Sequence, residues 1–132
     1  MSHTPPTLTE QIIGAAMRVH NTLGVGFLEK VYENALAHEL RKMGFTVLQQ
    51  HPIPVYYDGI VVGDYVADLV VEGKVVLELK TARALADEHT SICINYLHAC
   101  KLPVCLLINF GTPRLQFKRL VGDTYINEKT VL

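Results

Sequence analysis

Between residues 68 and 80 the chain reads DLVVEGKVVLELK, an apolar stretch with an acid near each end and a closing lysine. Alternate side chains of a strand share a face. Val76, Glu78 and Lys80 therefore point one way, and Val75, Leu77 and Leu79 the other. Folded as a hairpin about Glu72-Gly73-Lys74, the segment brings Asp68 near residues 77–79 on the adjacent strand. The Asp68 and Glu78 carboxylates then converge, with Lys80 beside them. Two close carboxylates repel each other, and a hard dication such as Mg²⁺, which takes oxygen ligands, relieves that repulsion. The backbone carbonyl of Leu79 is a further oxygen within reach. Lys80 could orient a water or stabilise charge building on a phosphate oxygen. These are the parts that phosphodiester hydrolysis needs. A salt-bridged sheet end meets the same spacing and contributes little, so spacing alone leaves both readings open.

The elements that must position these residues follow from periodicity. From Leu8 to Leu23 the apolar residues Leu8, Ile12, Ala15, Ala16, Val19 and Leu23 recur at helical spacing, with Thr7 or Thr9 as cap and Gly24 as stop. A second helix is predicted from about Phe27 to Met43, with Leu28, Val31, Tyr32, Ala35, Leu36, Leu40 and Met43 as its apolar stripe. Glu29 flanks that stripe, because steps of three and four stay on one helical face. Its carboxylate leans toward the core side and wants a partner there, although the positive helix N-terminus explains it as well. Glu39 also falls within the stripe, without an assigned role.

From Phe45 the pattern turns to strand. TVLQQHPIPVYY is interrupted or lies at a sheet edge because of Pro52 and Pro54. Asp58-Gly59 signals a hairpin turn, and IVVGDYVADLVV continues as strand with an irregularity at Gly63. GKVVLELK is the next strand, a helix begins near Asp87, LPVCLLINF is a buried strand, and RLQFKRLV is a final strand or edge. A helix linking VVLELK to PVCLLINF predicts a right-handed parallel crossover between strands apolar enough for central positions. The fold class is α/β, a mixed central sheet flanked by helices. One domain is expected over residues 1–132, with 1–7 a loose terminus. Alternation lets only one of Gln49 and Gln50 face the site. Tyr96 is a polar candidate near it, and is read more simply as a core aromatic.

Of the 132 residues 49% are hydrophobic and 19% charged, enough for a packed core. A formal net charge of −1 excludes a protein that holds nucleic acid by charge alone. Any such role must rest on a local patch, a metal ion or an oligomer; Arg41, Lys42, Arg83, Lys101, Arg114, Lys118 and Arg119 are scattered along the chain. No apolar run approaches the roughly 18 residues of a membrane span, and no charged segment followed by an apolar block opens the chain. A cytoplasmic protein without membrane contact is expected. Three cysteines, Cys93, Cys100 and Cys105, without a CxxC spacing, read as free thiols in a reducing compartment. His89 and Cys93, one helical turn apart, would be half of a metal site with no evident fourth ligand.

GFLEKVY carries Gly26, Glu29 and Tyr32 in the spacing GxxExxY, and YENAL, ADLVVEGKVVLELK, NYL and LLINFG continue the similarity from about residue 10 to 120. On these residues the chain resembles the GxxExxY protein family, a branch of the PD-(D/E)XK nuclease superfamily. The resemblance implies a restriction-endonuclease-like core with the acidic pair and the lysine on adjacent strands. Asp68 takes the motif Asp, Glu78 and Lys80 the (D/E)XK pair, and Glu29 the acidic position of the early helix. Mg²⁺ or Mn²⁺ binding by Asp68 and Glu78, with the Leu79 carbonyl, and a catalytic role for Lys80 follow from it. Glu29 would hold a water, a second metal or Lys80 itself; Tyr96 and Gln50 are outlying candidates. Ala67 stands where the motif's name has Pro, and Ile92 and Ile94 lie where similar sequences often carry Gln. The expected function is Mg²⁺-dependent phosphodiester hydrolysis on nucleic acid, DNA or RNA. The alternative is a non-catalytic nuclease-fold module for binding or self-association as a homodimer.

Overall fold

A computed structural model describes residues 7–122. Helix α1, Leu8–Leu23, opens on a reciprocal capping box: the Thr7 hydroxyl accepts from the Glu10 N–H, and the Glu10 carboxylate accepts from the Thr7 N–H. The corner that follows bends through Gly24 at φ 70° and Gly26 at φ 111°, a region that L side chains rarely adopt. Helix α2, Glu29–Lys42, therefore starts two residues later than its periodicity suggests. Leu28 and Val31, expected on its apolar stripe, are exposed. Tyr32, Leu36 and Leu40 are buried as expected, and Glu33 and Ala37 share their face, which thus contains a carboxylate.

The strands are β1 (Val47–Tyr57), β2 (Ile60–Val71), β3 (Val75–Lys80), β4 (Val104–Asn109) and β5 (Gln116–Val121), with helix α3 (Asp87–Cys100) between β3 and β4. They form one five-stranded sheet in the order β1-β2-β3-β4-β5. Only β3 and β4 pair in parallel, as a helical crossover requires; the other neighbours are antiparallel. Helices α1 and α2 cover one face, over a core that includes Leu69, Leu77, Leu106 and Phe110. Helix α3 covers the other, where Cys93, Tyr96 and Leu97 pack on Val76, Cys105 and Leu107. Both central strands are covered on both faces, which is why they read as unbroken apolar runs.

Pro52 and Pro54 do not interrupt β1, which runs for 11 residues at the sheet edge. They are two apart, so their missing N–H groups lie on one side of the strand, and on the open side they take nothing from the ladder. Asp58 and Gly59 both have positive φ, as a two-residue hairpin turn of type I′ needs. The irregularity expected at Gly63 is a register shift: Val55 opposes Gly63 but Tyr56 opposes Val61.

A second irregularity lies at Gln50, whose φ is 50° although Gln49↔Leu69 and His51↔Ala67 stay in register around it. Val47 and Leu69 belong to the core under α1 and α2, whereas Ile53 and Ala67 belong to the core under α3. A regular strand would keep residues an even number apart on one face. The β1–β2 ribbon thus exchanges its faces across the Gln50–Asp68 pair.

The three cysteines are free. His89 Nδ1 accepts from the Ala86 N–H at 3.1 Å, a helix-start contact in place of the His89–Cys93 half-site. Among the described residues no group of three or more His, Cys, Asp or Glu side chains is placed to hold a metal ion. None of the described helices is long and apolar enough to cross a membrane.

Candidate active site where two strands part

Strands β2 and β3 pair through Val71↔Val75, Val70↔Val76 and Leu69↔Leu77, and no further. The next residues are Asp68 and Glu78, so the acidic pair stands where the ladder opens. Asp68 bridges the gap: its Oδ2 accepts from the Leu79 N–H at 2.7 Å, where a backbone carbonyl would otherwise be. Lys80 turns its own carbonyl toward β4, accepting from the Phe110 N–H at 2.8 Å. One residue earlier, the Leu79 carbonyl faces the opposite side, into the gap.

The Glu78 carboxyl is almost wholly buried. Its Oε2 lies 3.2 Å from Lys80 Nζ, and its Oε1 is buried without a hydrogen-bond partner. The Tyr96 hydroxyl is close by, but it donates its one proton to the Val66 carbonyl at 3.1 Å. Burial and then the Asp68 carboxylate push the Glu78 pKa up to about 7, against the pull of Lys80. Burial also raises the pKa of Asp68, outweighing its bonds from Leu79 and Gln50. For Lys80 burial opposes the charge, but the carboxylates of Glu78, Glu29 and Asp68 prevail and raise its pKa. Burial, with Glu78 and Asp68 nearby, raises the Tyr96 phenol, which keeps its proton at neutral pH.

Asp68, Glu78, Leu79, Lys80 and Tyr96 are thus brought together. Glu29 is not turned toward the core: it is exposed in the first turn of α2, where its charge bears on Lys80. The buried acid is Glu33, one turn on. Its Oε2 accepts from Lys30 Nζ at 3.0 Å and Gln49 Nε2 at 2.8 Å, and its Oε1 from Gln50 Nε2 at 2.7 Å. The Gln50 amide also lies 3.3 Å from Asp68 Oδ1. Both glutamines therefore reach the site region, contrary to strict alternation, because the left-handed Gln50 breaks the strand's period. Glu33 was detectable in principle: steps of three, four and seven lead from it to Leu36, Ala37 and Leu40, the centre of the buried face. Glu39 pairs with Arg18 and Lys42 at the surface.

Two polar clamps hold the frame. The Tyr32 hydroxyl donates to the Gly24 carbonyl and accepts from the Phe27 N–H, and its ring stacks on Phe110 at 4.7 Å. It thereby ties the corner before Glu29 to the end of β4. Buried Asn109 accepts from the Ala82 and Gly111 N–H groups and donates to the Ala82 carbonyl and the Gln116 side chain. That fixes the chain just beyond Lys80.

A family model for the PD-(D/E)XK nuclease superfamily matches residues 6–120, and the chain belongs to that superfamily. The mixed sheet flanked by three helices is consistent with its fold. Proteins of this superfamily typically use divalent metal ions. Among solved structures, the crystal structure of SSO0001 is similar at 15% identity and a TM-score of 0.44, over 96% of this chain and 86% of that one. No curated protein matches this chain.

The donor set fits such an ion. Two carboxyl groups lie near each other beside the Leu79 backbone, oxygen groups of the kind a hard dication takes, one carboxyl oxygen is buried without a partner, and a single ammonium offsets the two acids.

Proposed function

We propose that this protein is a divalent-cation-dependent, nuclease-like phosphodiesterase of the GxxExxY branch, acting on nucleic acid. Asp68, Glu78 and the Leu79 carbonyl would hold Mg²⁺ or Mn²⁺. The observation that carries the reading is Glu78 Oε1, a buried acceptor whose neighbouring donor, the Tyr96 hydroxyl, gives its proton to the Val66 carbonyl, beside a second carboxyl group. Such an atom costs about 1–3 kcal/mol, which a cation offsets and a plain salt-bridged sheet end does not. Bound there, a divalent ion supplies Lewis acidity and a nucleophilic water at neutral pH.

The chain's own residues supply the rest. Lys80 Nζ places a positive charge beside the site, where a phosphate oxygen gains negative charge or a water needs orienting. Glu29, exposed at the helix start, bears on the Lys80 ammonium and helps keep it protonated. Tyr96 ties α3 to β2 at Val66, and its side chain and that of Glu78 are both buried there.

The test is hydrolysis of single-stranded, duplex and branched DNA and RNA with Mg²⁺ or Mn²⁺. Wild type is expected to cleave at least one of these, and Lys80→Ala or Glu78→Ala to lose roughly 100-fold or more. Equal cleavage by wild type and a variant carrying both Lys80→Ala and Glu78→Ala would overturn the reading.

A non-catalytic binding module has one observation in its favour. The β1–β2 hairpin exposes Tyr56, Tyr57, Ile60, Val61 and Val62, an apolar surface of the kind that docks partners. A stable dimer in sedimentation, with no cleavage of any substrate, would favour it.

A further inference from the structure

Among the described residues four non-glycine residues have positive φ. Asp58 and Glu72 stand in turns and Lys101 ends a helix, places where that conformation is ordinary. Gln50 stands inside a strand, where an L side chain adopts it at a cost, at the point where the β1–β2 ribbon exchanges its faces.

Besides that exchange, the conformation sets a single amide between two acids. Gln50 Nε2 lies 2.7 Å from Glu33 Oε1 and 3.3 Å from Asp68 Oδ1. Each acid is fixed from its far side: Glu33 Oε2 by Lys30 and Gln49, and Asp68 Oδ2 by the Leu79 N–H. A chain of contacts thus runs from α2 through β1 and β2 to β3, across the point where the sheet opens. We propose that Gln50 is a positioning residue, whose left-handed backbone holds its amide between Glu33 and Asp68 and so fixes the Asp68 carboxylate against Leu79 and toward the cation site. This rests on the reading of Asp68 as a cation ligand. Partners that orient a ligating carboxylate typically change metal affinity 10–100-fold when removed.

Backbone and amide can be separated. Gln50→Gly keeps the left-handed conformation without strain and deletes the amide. A purely architectural Gln50 predicts a glycine variant at least as stable as wild type with its site unaltered. Two readouts decide: Mn²⁺ affinity by calorimetry, and hydrogen exchange of the Leu79 amide in the cation-free protein, with the Leu77 amide in the regular ladder as reference. The expected result is Mn²⁺ binding weaker by about 10-fold or more, with Leu79 exchanging about 10-fold faster and Leu77 unchanged. A variant in which either readout stays at the wild-type value overturns the proposal. Should wild type bind no Mn²⁺, the cation reading fails by itself, and Leu79 exchange alone then decides the role of Gln50. If the glycine variant does not fold, Gln50→Asn carries the same expectations. Asn tolerates the left-handed region, but its amide is one methylene too short to span both acids.

Discussion

Glu78 is held where its negative charge is unfavourable, and this has a measurable consequence in the cation-free protein. Its pKa, ordinarily 4.5, rises to about 7 through burial and the Asp68 carboxylate. Between those values the folded state binds a proton that the unfolded chain has released. Stability from this group is therefore full below about pH 4.5 and is lost as pH rises through 7. Asp68, also raised, acts in the same direction. With Glu78 almost wholly buried, the difference is on the order of 3 kcal/mol. Urea midpoints should fall from pH 5 to pH 8, and Glu78→Gln should flatten that fall and exceed wild type at pH 8. Parallel pH profiles for the two proteins would contradict this account of the site. At this scale Asp68, Glu78 and Lys80 were legible because strand alternation and a short turn leave few ways to arrange them. Glu33 was passed over because a helical glutamate reads as surface, although its spacing lay within the apolar stripe. The glutamine pair was misjudged because one residue's φ leaves no periodic trace.

The elements carry the site by how they end. Beyond β4, Gly111 lies so close to the chain after Lys80 that an added Cβ would sit 2.5 Å from the Ala82 carbonyl oxygen. Asn109 clamps the same crossing through two bonds to the Ala82 backbone. Gly111→Ala should lower stability by about 1–3 kcal/mol in urea unfolding, because backbone rather than a flexible side chain must move. An unchanged midpoint would show that the crossing is looser than described. The bounds of α1 followed from its periodicity and caps, and the start of α3 and the places of β3 and β4 from element order and apolar runs, with β4 shorter than LPVCLLINF at both ends. The start of α2 did not, because the apolar residues of the glycine corner mimic helical spacing while Leu28 and Val31 face outward. Periodicity tells where apolar residues recur, and only packing decides which of them are covered.

For the whole molecule, the sheet between two helical layers and its parallel centre were readable from element order. The face exchange of the β1–β2 ribbon was not, since it arises from one residue and is seen only when the two cores are compared. With a formal charge of −1 the protein lacks the field that draws phosphates. The gap between β2 and β3 collects two acids against one lysine. A dication there would reverse the local sign and give a phosphodiester a reason to approach. The most direct measurement is calorimetric titration of the protein with Mn²⁺ at pH 8, for wild type and Asp68→Asn. The account predicts binding of one ion by wild type and its loss, by about 10-fold or more, in the variant. No binding by wild type, or equal binding by both, would contradict it.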